Sequence, residues 1–191
     1  MYDELYELAK SSALTKNSLL EKLKKYSREI SIFDLMEMNA GMIEDGQFVH
    51  ESYRKEYLGV YAKYFLARIT DIKNDKTDYD SIYTQNKNIF KKEDENESNI
   101  DLMDFRESVM TLKSYSQNQD LKDKKFSKVY SIISLYTTYV LEEPIHPVGT
   151  LFPGSLRVTE ENGVFYCPVK DANEESPNSV CTMCIAVQLE F

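Results

Sequence analysis

The chain has 191 residues, room for one core and a small appendix but not for two full domains. With 42% hydrophobic and 29% charged residues it has too much apolar material for a disordered tail. Its 32 acidic residues against 23 basic ones give a net charge of −9, which disfavours a polyanionic partner, nucleic acid or anionic lipid alike.

The opening residues Met1-Tyr2-Asp3-Glu4-Leu5 are acidic and lack the basic, apolar, small-residue order of an export signal. The longest uncharged run, Val129 to Leu141, is broken by serines, threonines and tyrosines and falls short of the ~20 apolar residues a bilayer requires. It reads as a buried helix, and the expected compartment is the cytoplasm. All five prolines lie beyond residue 143, so nothing upstream interrupts helix formation.

Along this proline-free part, Ser18-Leu19-Leu20-Glu21 has the form of a capping box and Ser31-Ile32-Phe33-Asp34 is a looser version, so helices are expected to start near both. From Tyr53 to Ile72, Tyr57, Leu58, Tyr61, Tyr64, Phe65, Arg68 and Ile69 recur at three- and four-residue steps, one wide stripe of an amphipathic helix. Gly46 and the polar tracts Lys73 to Asp78, Lys91 to Glu97 and Ser116 to Lys125 lack apolar periodicity and read as connections. The expected fold is mainly α. About six helices pack as a bundle or orthogonal array over residues 1–143, with a small β-hairpin and loop cap over 144–191 packed on them.

In the cap, His146 to Gly154 is a turn-rich loop held by proline and glycine. Leu156 to Glu160 and Val164 to Tyr166 alternate at period two around Asn162-Gly163, the dipeptide suited to a tight hairpin turn. The cap carries six acidic residues against two basic ones, so it offers no basic face to nucleic acid.

All three cysteines fall within eighteen residues: Cys167 at the end of the second hairpin strand, then Cys181-Thr182-Met183-Cys184 after thirteen intervening positions. An odd number of thiols is a poor disulfide framework. A Cys-x-x-Cys step places two thiolates on one metal because a tight turn brings both sulfurs to one side, at Zn–S ~2.3 Å. Cys167 supplies a third ligand and His146, upstream of it across twenty intervening residues, a fourth, which gives a closed structural zinc site. The competing readings are three buried hydrophobic thiols, a redox pair at Cys181 and Cys184, and an iron–sulfur cluster, which lacks its usual compact run of cysteines here.

Other candidates are weaker. His50 beside Glu51, one turn before Arg54, has the setting of a solvated helix face. His146 with Cys167 as base and nucleophile lacks a third orienting residue. Glu142 and Glu143 are adjacent, so their carboxylates diverge. Tyr57, Tyr61 and Tyr64 fit core or interface better than a base-stacking platform, and Gly149 and Gly154 do not form a phosphate loop.

The blocks Leu141-Glu142-Glu143-Pro144-Ile145-His146-Pro147-Val148-Gly149-Thr150, Phe152-Pro153-Gly154, Tyr166-Cys167-Pro168-Val169-Lys170 and Cys181-x-x-Cys184 resemble, in that order, an uncharacterised family of archaeal proteins known mainly from methanogens. The resemblance is firm over the last quarter and loose over the helical part. It implies a methanogen cytoplasm with reduced thiols and carries over no catalytic role. The function expected is non-enzymatic: helices that bind a protein partner, and a cap braced by zinc. The alternative is a metal- or thiol-dependent oxidoreductase using the same cysteines.

Overall fold

The computed structural model describes residues 1–10, 13–47, 50, 51, 54, 58, 63–82, 100–117, 121–176 and 179–190. Helix α1 (Tyr2–Leu8) is followed by α2 (Lys16–Arg28). The box that starts α2 is centred on Thr15, whose hydroxyl accepts the Ser18 N–H at 3.2 Å while Ser18 Oγ accepts the Thr15 N–H at 3.1 Å. The helix thus begins three residues ahead of the Ser18 expected from the sequence. A serine at the third helical position reaches back as a glutamate does, which the usual template passes over.

Helix α3 (Ile32–Gly46) starts where expected: Asp34 Oδ2 accepts the Ser31 N–H at 2.9 Å and Ser31 Oγ accepts the Asp34 N–H at 3.1 Å. Helix α4 (Lys63–Asn74) buries Phe65, Ile69 and Ile72, the inner face of the expected stripe, and leaves Tyr64 exposed. Tyr57, Tyr61 and the tract Lys91 to Glu97 lie outside the described residues.

Helix α5 (Leu102–Gln117) is capped by Asp101, whose Oδ1 accepts the N–H groups of Met103 at 2.8 Å and Asp104 at 3.0 Å. Helix α6 (Leu121–Leu135) begins inside the polar tract Ser116 to Lys125, which is therefore largely helix and not a connection. Apolar periodicity is missing there because this turn projects into solvent; Lys124 and Lys125 are exposed.

Helix α6 continues into a π-helical segment, Tyr136–Leu141. It ends on Glu142, whose left-handed φ of 55° releases the chain toward Pro144. Most of the Val129–Leu141 run is buried as expected, with Tyr130, Tyr139 and Leu141 half-buried, and its apolar residues are joined by Ser131, Ser134, Thr137 and Thr138. Among the described residues, no helix is long and apolar enough to cross a membrane.

Among its described residues the cap holds five short strands. β1 (Leu151–Phe152) pairs antiparallel with β2 (Leu156–Arg157), and β3 (Thr159–Glu161) pairs antiparallel with β4 (Val164–Cys167). The expected strand Leu156 to Glu160 is divided between the two hairpins. Between them Val158 is buried, and its N–H and C=O bond back to Thr150 and Gly149. The second hairpin turns at Asn162 (φ 54°) and Gly163 (φ 81°), the positive pair that the Asn-Gly step supplies. β5 (Val187–Gln188) joins β4 in parallel. Helix α7 (Lys170–Glu174) and a 3-10 turn (Val180–Met183) complete the chain.

One hydrophobic cluster runs from Leu5 through Leu19, Ile69, Phe105 and Ile133 to Ile145, Val180 and Met183, so residues of the cap are built into the helical core. A second, small cluster holds Val158, Cys167 and Ala186, with Phe152 and Phe165 against it. Cys184 packs against both.

The thiol cap and an acidic cleft beside it

Cys167 ends β4 and is buried, while Cys181 and Cys184 stand half-buried at the two ends of the 3-10 turn; all three are free thiols. Burial pushes the Cys167 thiol above its ordinary pKa, and the neighbouring Cys184 and Cys181 add to this against an opposing bond from the Val169 N–H. The 3-10 turn is fixed by the Ser179 side chain, which accepts the Cys181 N–H at 3.1 Å. The Lys170 ammonium donates to the carbonyls of Cys184 (2.9 Å) and Cys181.

His146 lies apart from this group, its ring edge-on to Phe152 at 5.4 Å between centroids. Phe152 in turn packs against the small cluster of Val158, Cys167 and Ala186. Burial lowers the imidazole to a pKa of about 4, so it is neutral at physiological pH, the form a metal ligand needs. Among the described residues, no group of three or more His, Cys, Asp or Glu side chains is placed as a metal-holding set. Cys167 and Cys184 thus share one cluster, Cys181 lies on the same 3-10 turn as Cys184, and His146 lies against Phe152, which packs on that cluster.

The remaining sequence candidates are dispersed. The carbonyl of His50 accepts the Arg54 N–H at 3.1 Å, a helical contact, and Arg54 caps Gln47 O at 2.7 Å. Glu142 and Glu143 diverge: Glu142 pairs with Lys16 at 2.8 Å and Glu143 with Arg68. Gly149 (φ 90°) serves a turn whose carbonyl takes the Arg157 guanidinium at 3.0 Å.

Between α5, the π segment and the 3-10 turn the structure opens a cleft of about 600 Å³ that the sequence did not announce. Asp101, Asp104 and Glu107 line one wall, Cys184 the wall toward the cap. Tyr139 stands in it, its hydroxyl 2.6 Å from Ser108 Oγ and its ring edge-on to Phe105 at 5.1 Å. Burial raises the Tyr139 phenol to about 12 against the opposing hydrogen bond with Ser108, and the charges of Asp104, Asp101 and Glu107 add to the rise. The spacing Asp101, Asp104, Glu107 is a visible acidic pattern on one helix. Its meaning depends on Lys16, Tyr139 and Cys184, brought to it only by tertiary packing.

The chain matches over residues 15–189 the family model described as "Uncharacterized protein conserved in archaea (DUF2115)". A UPF0305 protein of Methanothermobacter thermautotrophicus is 34% identical over 176 residues, which cover 92% of this chain and 97% of that protein. A UPF0305 protein of Methanococcus maripaludis strain C7 is 29% identical, covering 92% and 98%, and one of Methanocaldococcus jannaschii is 23% identical, covering 90% and 95%. No solved structure matches the chain.

Proposed function

We propose for this chain, which belongs to the archaeal family DUF2115, a non-catalytic role in the cytoplasm: helix α3 receives a protein partner, and a metal ion braces the cap. The observation that carries the reading is the outer face of α3. Phe33, Met36 and Ile43 are 78%, 62% and 53% exposed, and with Ile32 and the exposed Ala40 they form a stripe at three- and four-residue steps. The opposite face, Met38 and Met42, is in the core. A contiguous apolar stripe on one helix is the signature of a docking face, and methionine adapts to a partner's contour. Glu44 and Glu37, the latter 3.7 Å from the Lys125 ammonium, flank the stripe and are exposed, so the occupant that fits is a segment apolar at its centre and basic at its rim.

Two amphipathic helical peptides test this, each with a leucine stripe, one bordered by lysines and the other by glutamates. The lysine-bordered peptide is expected to bind and to lose its affinity in Phe33→Glu. Equal binding of both peptides, or a dimer by light scattering that Phe33→Glu dissociates, would overturn it; in the second case another copy of the chain covers α3.

For the cap, the reading rests on Cys167 of β4 and Cys184 of the 3-10 turn packed in one cluster, with Cys181 on the same turn, and on the neutral imidazole of His146. Cys167, Cys181, Cys184 and His146 are the proposed ligands. Zinc is favoured over an iron–sulfur cluster because the four are a mixed sulfur and nitrogen set. Metal analysis with an absorption spectrum after anaerobic purification is expected to give about one equivalent of zinc and no visible chromophore. Folded protein with less than about 0.2 equivalents of any transition metal sinks the proposal. A thiol-dependent oxidoreductase is the poorer account, since Cys181 and Cys184 flank a short 3-10 turn and do not open a helix after a strand, the setting of a redox Cys-x-x-Cys pair.

A further inference from the structure

We infer that Lys170 is the positioning residue of the thiol cap: its ammonium holds the turn of Cys181 and Cys184 to the end of β4 and cancels the excess negative charge of three thiolates on one divalent metal ion. This rests on the metal site proposed above and names the residue outside the ligand set on which that site depends.

Lys170 follows Cys167 by three positions and is the first residue of α7, so its backbone is fixed to the end of β4 while its side chain crosses to the 3-10 turn. There the ammonium donates to the carbonyls of Cys184, at 2.9 Å, and of Cys181, the two ends of the Cys-x-x-Cys step. Carbonyls in the last turn of a helical segment carry its negative end, so a cation at this place closes the turn. One side chain thus bridges the two segments that supply all three thiols. Helix α7 gives no reason of its own for a lysine there, since the first helical position favours an acidic side chain and a cation opposes the peptide dipoles.

Charge supplies a second argument. The Lys170 side chain is only 11% exposed, and a buried ammonium calls for an anion as well as for hydrogen-bond acceptors. Its two carbonyl partners are dipoles without net charge, and its third N–H has no acceptor among the described residues. The Glu174 carboxylate stands 3.9 Å away, beyond hydrogen-bond reach, and is itself half-exposed, so it offsets little of the charge. A divalent ion held by Cys167, Cys181, Cys184 and the neutral imidazole of His146 displaces three protons to solvent and leaves one net negative charge on the site. Lys170 adds one positive charge and brings the sum to zero, so each buried charge is the other's counterion.

Cobalt(II) titration of the reduced protein under anaerobic conditions, in competition with a chromophoric chelator, is the test. The parent is expected to bind about one equivalent and to show the thiolate-to-cobalt absorption of a three-thiolate site. Lys170→Met keeps the stem without the charge, and Lys170→Gln also keeps a donor for a carbonyl. Each should weaken cobalt by about tenfold or more, as the loss of an outer partner of a metal site does, and lower the absorption per bound ion toward that of two thiolates. Lys170→Arg, which retains the charge, should restore both quantities to near the parent values. Circular dichroism before metal is added confirms that each variant is folded. A parent that binds no cobalt ends the metal site and this role of Lys170 with it. A parent that binds, with affinity and absorption unchanged in both neutral variants, leaves the metal site standing and overturns the inference about Lys170. Equal weakening in Lys170→Arg overturns it as well, since the fit of the lysine stem and not its charge would then be the cause.

Discussion

Asp75 shows how single residues hold this fold. Its Oδ2 accepts the hydroxyls of Tyr136 at 2.7 Å and Tyr79 at 2.9 Å, and its Oδ1 the Thr77 N–H at 2.8 Å, so the end of α4 is tied to the π segment. Burial pushes the carboxyl up, but the bonds from Tyr136, Thr77 and Tyr79 outweigh it and hold the carboxyl below its ordinary value. A depressed native pKa means that the unfolded chain binds the proton more tightly. The contribution of Asp75 is therefore complete above about pH 4 and is lost as pH falls through the lower native value. Tyr136→Phe should cost about 1.5–3 kcal/mol at neutral pH, the worth of a hydrogen bond to a charged group. It should also lose less stability than the parent between pH 5 and pH 3, which urea midpoints at the two values would check. None of this was legible in the sequence, because Asp75 and Tyr136 are sixty-one positions apart and Tyr136 sits in a run that reads only as buried helix.

At the scale of elements, what could be read was what neighbouring residues decide among themselves. The Ser31–Asp34 box and the Asn162-Gly163 turn are local chemistry, and both stand where the sequence placed them. The box at Thr15 was misplaced because its partner is Ser18 instead of a glutamate. The start of α6 was missed because a helix turn facing solvent carries no apolar rhythm. Strand β5 could not be read at all: two residues, Val187 and Gln188, pair in parallel with Tyr166 and Cys167 only because the intervening α7 and 3-10 turn return the chain to that edge. The outward stripe of α3 is a further case. Its apolar residues surround the helix, and the sequence alone does not divide the core face of Met38 and Met42 from the exposed face of Phe33 and Met36.

For the molecule as a whole, the sequence drew a line at residue 143, whereas the main core takes Ile145, Val180 and Met183 from beyond it. We therefore expect the helical body and the cap to unfold together. Met183→Ala should destabilise by about 2–5 kcal/mol, as truncation of a buried methionine does, and lower one common transition followed by far-UV circular dichroism and by tyrosine fluorescence. Two separated transitions would show that the cap melts alone. The thiols were legible as a cluster because all three lie in one short span. The cleft was not, because its walls come from residue 16, from residues 100–111, from the π segment and from the 3-10 turn.

The π segment also constrains how this chain can vary in length. A π turn holds one residue more than the α turn it replaces, so deleting a single position between Tyr136 and Leu141 would restore a regular helix at little local cost. Because both kinds of turn complete one rotation, everything after that deletion would keep its direction relative to α5, and Glu142 and Glu143 would still face Lys16 and Arg68. A second deletion would come out of regular α-helix and turn the loop leading to His146 by about 100°. In relatives that keep the cleft, the loss of one residue among these six positions should therefore be tolerated and the loss of two excluded.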